Sequence, residues 1–309
     1  MLKQDQIKTQ EFITGLRHTT NDKGQVVIDK DENGNTVRIG RGLTFGVELE
    51  QVGITRHNYT CLYQINHMFS GRERFKQVTD GSISGSGSEF VSGIMEWTSI
   101  ENVQTAVRLI KENGGREHSS CGVHVHIDGG RFLQDPAALI RLIKIVDKYE
   151  RLMYHSLNAD NRMTGRWSRP VCQDFLNRVC ALKKPSIDDI RREWYARNGG
   201  SQHRRYDGSR YRLLNLHALF SKGTIEFRCF NSTLHAGRVK TYIQLCGHIV
   251  AQALLTKRAS KGQRAFNQDR AKYEVRTWLI RLGLIGDTYA TARLLLTRHL
   301  QGDSTYHRV

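Results

Sequence analysis

The stretch CGVHVHID, residues 121–128, places polar, chemically reactive side chains at every second position and aliphatic ones between them. Successive side chains of an extended strand point to opposite faces of a sheet. Val123, Val125 and Ile127 would therefore share one face, and the two histidines and Asp128 would share the other. The stretch predicts a strand with one face in a core and one face of groups that bind metals or protons.

Two further stretches, TFGVELE (44–50) and GTIEFRCF (223–230), show the same alternation. Their polar positions are Gly46, Glu48, Glu50, Thr224, Glu226 and Arg228. None of the three polar faces carries a lysine, which is unlike an ordinary solvated sheet face. Two like charges ~4 Å apart repel by ~4 kcal/mol at an effective dielectric near 20. If the three strands are neighbours, the converging carboxylates require cations, and a Glu/His set without thiolates favours Mg²⁺ or Mn²⁺ over structural zinc.

Helical patterns separate these strands. SIENVQTAVRLIKENGG (99–115) is amphipathic and ends at Gly114, and Asp135-Pro136 predicts the start of a long helix that reaches about Leu157. More helices are predicted near residues 186–198, over 238–257 and within 273–298. The Gly/Ser-rich stretch GSISGSGSE (81–89) predicts a flexible loop rather than a phosphate-binding loop, because no helix clearly follows it. We therefore predict an α+β fold, a mainly antiparallel sheet with helices packed on one face.

The domain organisation is predicted from the turn and core signals. DENGN (31–35) between alternating runs is a hairpin signal, and core patterns begin at Leu43. We expect residues 1–40 to form an N-terminal arm or hairpin. Residues 41–309 are expected to form the catalytic domain, which includes the C-terminal helices.

The composition limits the choice of partners and compartment. The net charge is +17 and the densest basic run is Gly199–Arg212, so nucleic acid, an anionic surface or a polyanionic substrate is compatible with the chain. No homeodomain, zinc-finger or RNA-binding pattern accompanies that charge. The sequence has no apolar run of about 18 residues and no signal-peptide core, and its six cysteines form no CxxC pair. We expect a cytoplasmic protein without a membrane partner.

Four motifs resemble the amidoligase family, and they occur in the family's order. They are TFGVELE, VTDGSISGSGSEFVS (78–92), CGVHVHID and RYRLLNLHALFSKGTIEFRCFNSTL (210–234). Members of this family are predicted ATP-dependent carboxylate–amine ligases that are related in fold to glutamine synthetase and glutamate–cysteine ligase. The resemblance spans about residues 43–245 and implies a glutamine-synthetase-like catalytic domain with a concave catalytic face.

The resemblance also implies a reaction. ATP transfers its γ-phosphoryl group to a carboxylate substrate, and an amine substrate then attacks the acyl phosphate to form an amide. Metal ions and an arginine neutralise the charge that shifts during such a transfer. The implied cofactors are ATP and Mg²⁺ (or Mn²⁺). A polyanionic acceptor would suit the positive charge, and the related ligases are often homo-oligomers.

The resemblance assigns candidate residues to each part of this chemistry. One magnesium ion would be held by Glu48, Asp80 and Glu89, and a second by Glu50, His124 and Glu226. Related glutamate–cysteine ligases carry Gly-x-His-x-Asn at the position of residues 122–126. This comparison favours His124 as the metal ligand and leaves His126 nearer the nucleotide or substrate. The residues alone do not decide which of the two histidines is the ligand. The remaining candidates are Arg228 and Glu226 as catalytic groups, Arg228 and Asn215 at the nucleotide, and Arg210 and Asn231 at the substrate.

The sequence is also compatible with two other functions. An HxH strand end is also found in zinc hydrolases, where the metal activates water. The candidate site is rich in acids, however, and no later ligand series for zinc is evident. The second alternative is a nucleic-acid-binding protein that uses its basic surface.

Overall fold

The computed structural model describes residues 3–196 and 200–303. Their helices are α1 (Lys3–Thr14), α2 (Tyr59–Asn66), α3 (Ile100–Glu112), α4 (Gly130–Gln134), α5 (Pro136–Ser156), α6 (Asp160–Thr164), α7 (Gln173–Ala181), α8 (Ile187–Tyr195), α9 (His217–Lys222), α10 (Ala236–Leu255), α11 (Ala271–Leu282) and α12 (Ala290–Thr297). Their strands are β1 (His18–Thr20), β2 (Val26–Ile28), β3 (Thr44–Val52), β4 (Lys76–Val78), β5 (Gly87–Val91), β6 (Met95–Glu96), β7 (Gly122–Asp128), β8 (Leu214–Asn215) and β9 (Thr224–Asn231). Among these helices, none combines the length and apolar character that crossing a membrane requires.

A seven-stranded antiparallel sheet organises the chain. Its strand order is β4-β5-β3-β7-β9-β8, and β6 pairs with the beginning of β3. The three strands with alternating polar residues, β3, β7 and β9, are therefore direct neighbours at the centre of the sheet. This arrangement confirms the predicted α+β class with a mainly antiparallel sheet.

The apolar face of the sheet forms the core with the helices. Val47, Val125 and Phe227 from the three central strands are fully buried. Helix α10 contacts β7, and α3 and α5 pack against α10. Because the apolar positions of the strands recur with period two and those of α3 with helical period, both surfaces can be buried against each other. Helices α3, α5 and α10 therefore leave the polar face of the sheet free to build a site.

The long helix α5 begins where its sequence predicts. The Asp135 carboxylate accepts a hydrogen bond from the Ala138 backbone N–H at 2.9 Å, and Pro136 is the first helical residue. This cap satisfies a backbone donor that has no partner within the helix. The predicted end near Leu157 is also confirmed, since the helix stops at Ser156.

The loop prediction for residues 81–89 is wrong at its C-terminal end. Residues 87–89 belong to β5 and pair with the last residues of β3, in the register Glu50 opposite Glu89 and Val52 opposite Gly87. Glycine and serine have low strand propensity, but pairing with a central strand overrides it. The Cβ of any larger residue at position 87 would lie 2.3 Å from the Gln51 carbonyl oxygen, so this close pairing depends on glycine.

The first forty residues contain one helix that no sequence pattern indicated. Ile13 of α1 is fully buried, and α1 packs against α10. The DENGN segment does turn, since the Asp31 N–H donates to the Asn35 carbonyl and Lys30 bridges Thr36. The paired strands β1 and β2 lie earlier, on either side of residues 21–25.

Candidate active site

The register of the central strands brings the polar side chains together. Glu48 on β3 lies opposite His124 on β7, and His126 lies opposite Glu226 on β9. On the other side of β3, Glu50 lies opposite Glu89 of β5. Directly opposed residues of an antiparallel pair have Cβ atoms about 4.5–5.5 Å apart. Residues that are up to 178 positions apart in the chain (Glu48 and Glu226) therefore share one surface.

An irregularity in β9 sets the position of Arg228. Val123 lies opposite Phe230 and Val125 lies opposite Phe227, so β9 has one residue more than β7 between these pairs. Such insertions re-aim side chains locally. The Arg228 Nη1 donates to a Glu226 oxygen at 2.5 Å, and the guanidinium is almost fully buried.

Hydrogen bonds fix both histidines. His124 Nδ1 lies 2.8 Å from one Glu48 oxygen, and His126 Nε2 lies 3.1 Å from the other. The second ring nitrogen of His126 lies 2.9 Å from the Thr224 hydroxyl. Since a second hydrogen bond of this kind fixes the orientation of an imidazole, His126 is held by two strands at once.

Opposite charges keep two of the carboxyls ionised. Burial alone would raise the pKa of the Glu48 carboxyl, but His126 and His124 outweigh it and hold the pKa well below its usual range. Burial would also raise the pKa of Glu226, but Arg228 and His126 outweigh it and lower the pKa to about 2. Conversely, Glu226 and Glu48 raise the pKa of His126 against the effect of its burial. This half of the site is a network of paired charges.

The other half of the site has an excess of negative groups. Burial, together with the carboxylates of Glu48, Glu50 and Asp80, raises the pKa of Glu89 to about 10. Glu50 accepts a 2.5 Å hydrogen bond from the Gly122 N–H. No lysine or arginine of the described residues forms an ion pair with Glu89. A cation among these four carboxyls would remove the repulsion that keeps Glu89 protonated.

Three groups of side chains have ligand atoms close enough to hold one ion. Within each group these atoms lie within 4.8 Å of one another, and the groups are Glu48–His126–Glu226, Glu48–Glu89–His124 and Glu50–Asp80–Glu89. Neighbouring ligands of one magnesium ion are roughly 3 Å apart, because the metal–oxygen distance is about 2.1 Å in an octahedron. The all-carboxylate group Glu50–Asp80–Glu89 fits such an ion, and no cysteine belongs to any of the three groups.

The structure thus brings together all six predicted metal ligands, in different combinations from those that the resemblance implied. Asp80 joins Glu50 and Glu89, rather than Glu48 and Glu89. His126, which was expected nearer the nucleotide or substrate, shares a group with Glu48 and Glu226. His124 shares a group with Glu48 and Glu89.

Two cavities over this face of the sheet share several lining residues. One has a volume of about 750 Å³ and is lined by Glu50, Asp80, His124 and Arg228. The other has a volume of about 410 Å³ and shares Asp80, His124 and Arg228, besides Glu89 and Glu226. Such volumes are typical of small-molecule sites.

The remaining predicted residues lie at different depths. Asn215 is buried and donates to a Glu226 oxygen at 2.6 Å, and Arg210 lines both cavities. Asn231 lies beyond the end of the acidic cluster, where its side-chain oxygen accepts from Arg162 Nε at 2.9 Å. It is not among the residues that line the two cavities.

Three residues of the site were not among the predicted site residues. Arg162 on α6 lines the larger cavity and donates to the Cys121 carbonyl at 2.5 Å. Lys222, at the end of α9, has its ammonium 3.9 Å from Glu48. Thr224 holds His126. Only Thr224 had an available sequence signal, since it occupies a polar position of the β9 alternation.

The comparison with known families agrees with this geometry. A model of the family described as "putative amidoligase enzyme" matches residues 70–250. The matched region contains β5, β7, β8 and β9 together with the loop of Asp80, and lacks only β3 among the strands that bear the site. No curated protein matches the chain at a significant level.

Proposed function

We propose that this chain, which belongs to the amidoligase family, is an ATP-dependent carbon–nitrogen ligase that joins a carboxylate to an amine. The observation that carries the proposal is the convergence of five carboxyls, two imidazoles and one buried guanidinium on one face of the sheet. In the proposed reaction the γ-phosphoryl group of ATP passes to the substrate carboxylate with release of ADP. The amine then displaces phosphate from the acyl phosphate, and an amide forms.

Unpartnered buried atoms support a ligand at this position. Arg228 Nε and Asn215 Oδ1 are buried and have no hydrogen-bond partner among the described residues. A buried polar atom without a partner costs about 1–3 kcal/mol, so both atoms favour a ligand that completes their hydrogen bonds. We propose that Arg228 binds anionic phosphoryl oxygens and that Asn215 contacts the nucleotide.

The residues of the site would have separate roles in this reaction. The carboxyls Glu48, Glu50, Asp80, Glu89 and Glu226, with His124 and His126, would hold divalent cations. Mg²⁺, when bound, would neutralise the negative charge of a triphosphate and of the transferred phosphoryl group. Glu226 would fix the guanidinium of Arg228 through their short hydrogen bond. Thr224 and Glu48 would fix the ring of His126.

We also propose that residues 41–309 form a catalytic unit of the glutamine-synthetase type, with its catalytic face on the polar side of the sheet. The antiparallel order of β3, β7 and β9 and the location of the helices on the opposite face support this relationship. Residues 1–40 would be an arm that packs on this unit through α1.

An ADP-release screen over carboxylates and amines in the presence of Mg²⁺ tests the proposal. Glu226→Gln and Arg228→Lys should abolish turnover, because the first removes a carboxylate charge and the second removes the planar fork. Glu101→Gln makes the same chemical change on the exposed surface of α3 and should leave turnover unchanged. Release of ADP by Glu226→Gln at the wild-type rate would contradict the proposal. A protein that retains zinc and hydrolyses its substrate without nucleotide would instead be a metallohydrolase.

A further inference from the structure

A third cavity, of about 690 Å³, lies next to the proposed active site and has a different character. Three arginines line it, Arg166, Arg169 and Arg204, together with Tyr206 and Tyr211. We call it the arginine cavity. It is built partly from the basic run that the sequence shows at residues 199–212, and the proposed reaction at the sheet gives no role to its three arginines.

The charges of the arginine cavity are not balanced by acidic residues. None of its three arginines forms an ion pair within the part of the chain that the structure describes. One carboxylate, that of Asp207, lines the cavity, and it already accepts hydrogen bonds from the N–H groups of Ser201 and Ser209. Three guanidinium groups thus face one carboxylate, and the cavity favours an anion.

The arginine cavity continues into the 750 Å³ cavity. Gly165, Tyr206 and Tyr211 line both of them. The guanidinium of Arg210 lies 5.5 Å from the ring centre of Tyr206 and 5.4 Å from that of Tyr211, so cation–π contacts fix the wall between the cavities. A single extended molecule can therefore reach from Arg228 to the three arginines.

We propose that the arginine cavity binds a second anionic group of the carboxylate substrate, which is accordingly an acidic peptide. This inference rests on the proposed ligase function, because the carboxyl to be activated must lie at Arg228 while a further carboxylate occupies the arginine cavity. The planar guanidinium matches a carboxylate in a bidentate geometry. Nucleic acid offers phosphates to the same arginines but no carboxyl for activation, so an acidic peptide fits both cavities and nucleic acid fits one.

Binding can be measured without catalysis. A fluorescein-labelled peptide of four glutamates is titrated with the full chain in EDTA and without nucleotide, and a peptide of four glutamines is the neutral comparison. The glutamate peptide should bind at least about tenfold more tightly, and Arg166→Gln/Arg169→Gln should remove most of that difference. The control Arg108→Gln/Arg298→Gln removes the same charge from exposed positions on α3 and after α12. This control should retain the preference for the glutamate peptide.

Several results would overturn the inference. Equal loss of binding in the two double variants would show that only the overall charge matters. Tighter binding of a labelled oligothymidylate, lost in Arg166→Gln/Arg169→Gln, would assign the cavity to nucleic acid.

The inference and the proposed function can fail separately. ADP release with unimpaired KM for acidic peptides in the cavity variant would refute the arginine cavity and leave the ligase standing. Arginine-dependent peptide binding by a protein that releases no ADP with any carboxylate would refute the ligase and retain the cavity as an acidic-peptide site.

Discussion

Replacement of Glu89 by glutamine should change how the stability of the metal-free protein depends on pH. The carboxyl of Glu89 has a pKa of about 10 in the folded chain because it is buried beside three other carboxyls, against 4.5 as the ordinary value. Between these two values the unfolded chain has released the proton and the folded chain retains it. The free energy of unfolding therefore falls as pH rises, by about 1.4 kcal/mol per pH unit.

The magnitude is large enough to measure by urea denaturation in EDTA. From pH 6 to pH 8 this one group should lower the free energy of unfolding of the wild-type protein by roughly 3 kcal/mol. In Glu89→Gln that contribution is absent, so the difference in stability between variant and wild type should grow with pH over this interval. Glu48 and Glu226 do not interfere, since their lowered pKa values place their titration below pH 4.5.

The same group links stability to metal binding. A divalent cation among Glu50, Asp80 and Glu89 favours the ionised carboxylate, so Mg²⁺ binding to the wild type at pH 7 should release about one proton. Calorimetry in two buffers of different ionisation enthalpy measures this number, which should be lower by about one in Glu89→Gln than in the wild type. A variant-minus-wild-type stability difference that stays constant from pH 6 to pH 8 would refute the reasoning.

Three other changes give distinct outcomes. Glu150→Gln, which removes a carboxyl buried on α5 with a pKa of about 8, should also flatten the fall of stability with pH, but only up to about pH 8, and should leave the Mg²⁺ midpoint in thermal unfolding unchanged; a shifted midpoint would contradict this. Arg228→Ala should lower the free energy of unfolding in urea by about 3–5 kcal/mol, because it leaves Glu226 buried without its cation. If the added substitution Glu226→Gln recovers none of this loss, the cause is not the unpaired charge. Asp135→Ala removes the cap of α5 and should cost about 1 kcal/mol in the same assay; an equal loss in Asp135→Asn would exclude the cap as the reason.

The strands that bear the site could be predicted because their pattern is local. In β3, β7 and β9, alternation alone separates the buried Val47, Val125 and Phe227 from the polar residues. The two faces of each strand can therefore be predicted without knowing which strands lie beside it. The capped start of α5 is local in the same sense. The helix α1 was not predicted, because its sequence has little apolar periodicity and only Ile13 among its aliphatic residues is fully buried.

The grouping of the ligands could not be predicted from the sequence, because it depends on register. Glu50 meets Glu89 only because β5 begins at Gly87, inside a stretch whose composition is typical of a loop. His126 comes close to Glu226 through the pairing of β7 with β9, and the extra residue of β9 then determines where Arg228 lies. Arg162 reaches the cavity from α6, more than thirty positions beyond β7, through a bond to a backbone carbonyl that no side-chain pattern encodes.

The two halves of the site differ in charge balance, since one half pairs its carboxylates with cationic groups and the other has an excess of carboxyls. The half around Glu226 is neutralised by Arg228 and the histidines, so it keeps its geometry without an ion. The half around Glu89 is stable in the folded chain only with a proton or a cation. Because Glu48 belongs to groups in both halves, an ion held by Glu48, Glu89 and His124 would compete with the histidine hydrogen bonds of Glu48. Such an ion would therefore alter the hydrogen bonds from Glu48 to His124 and His126.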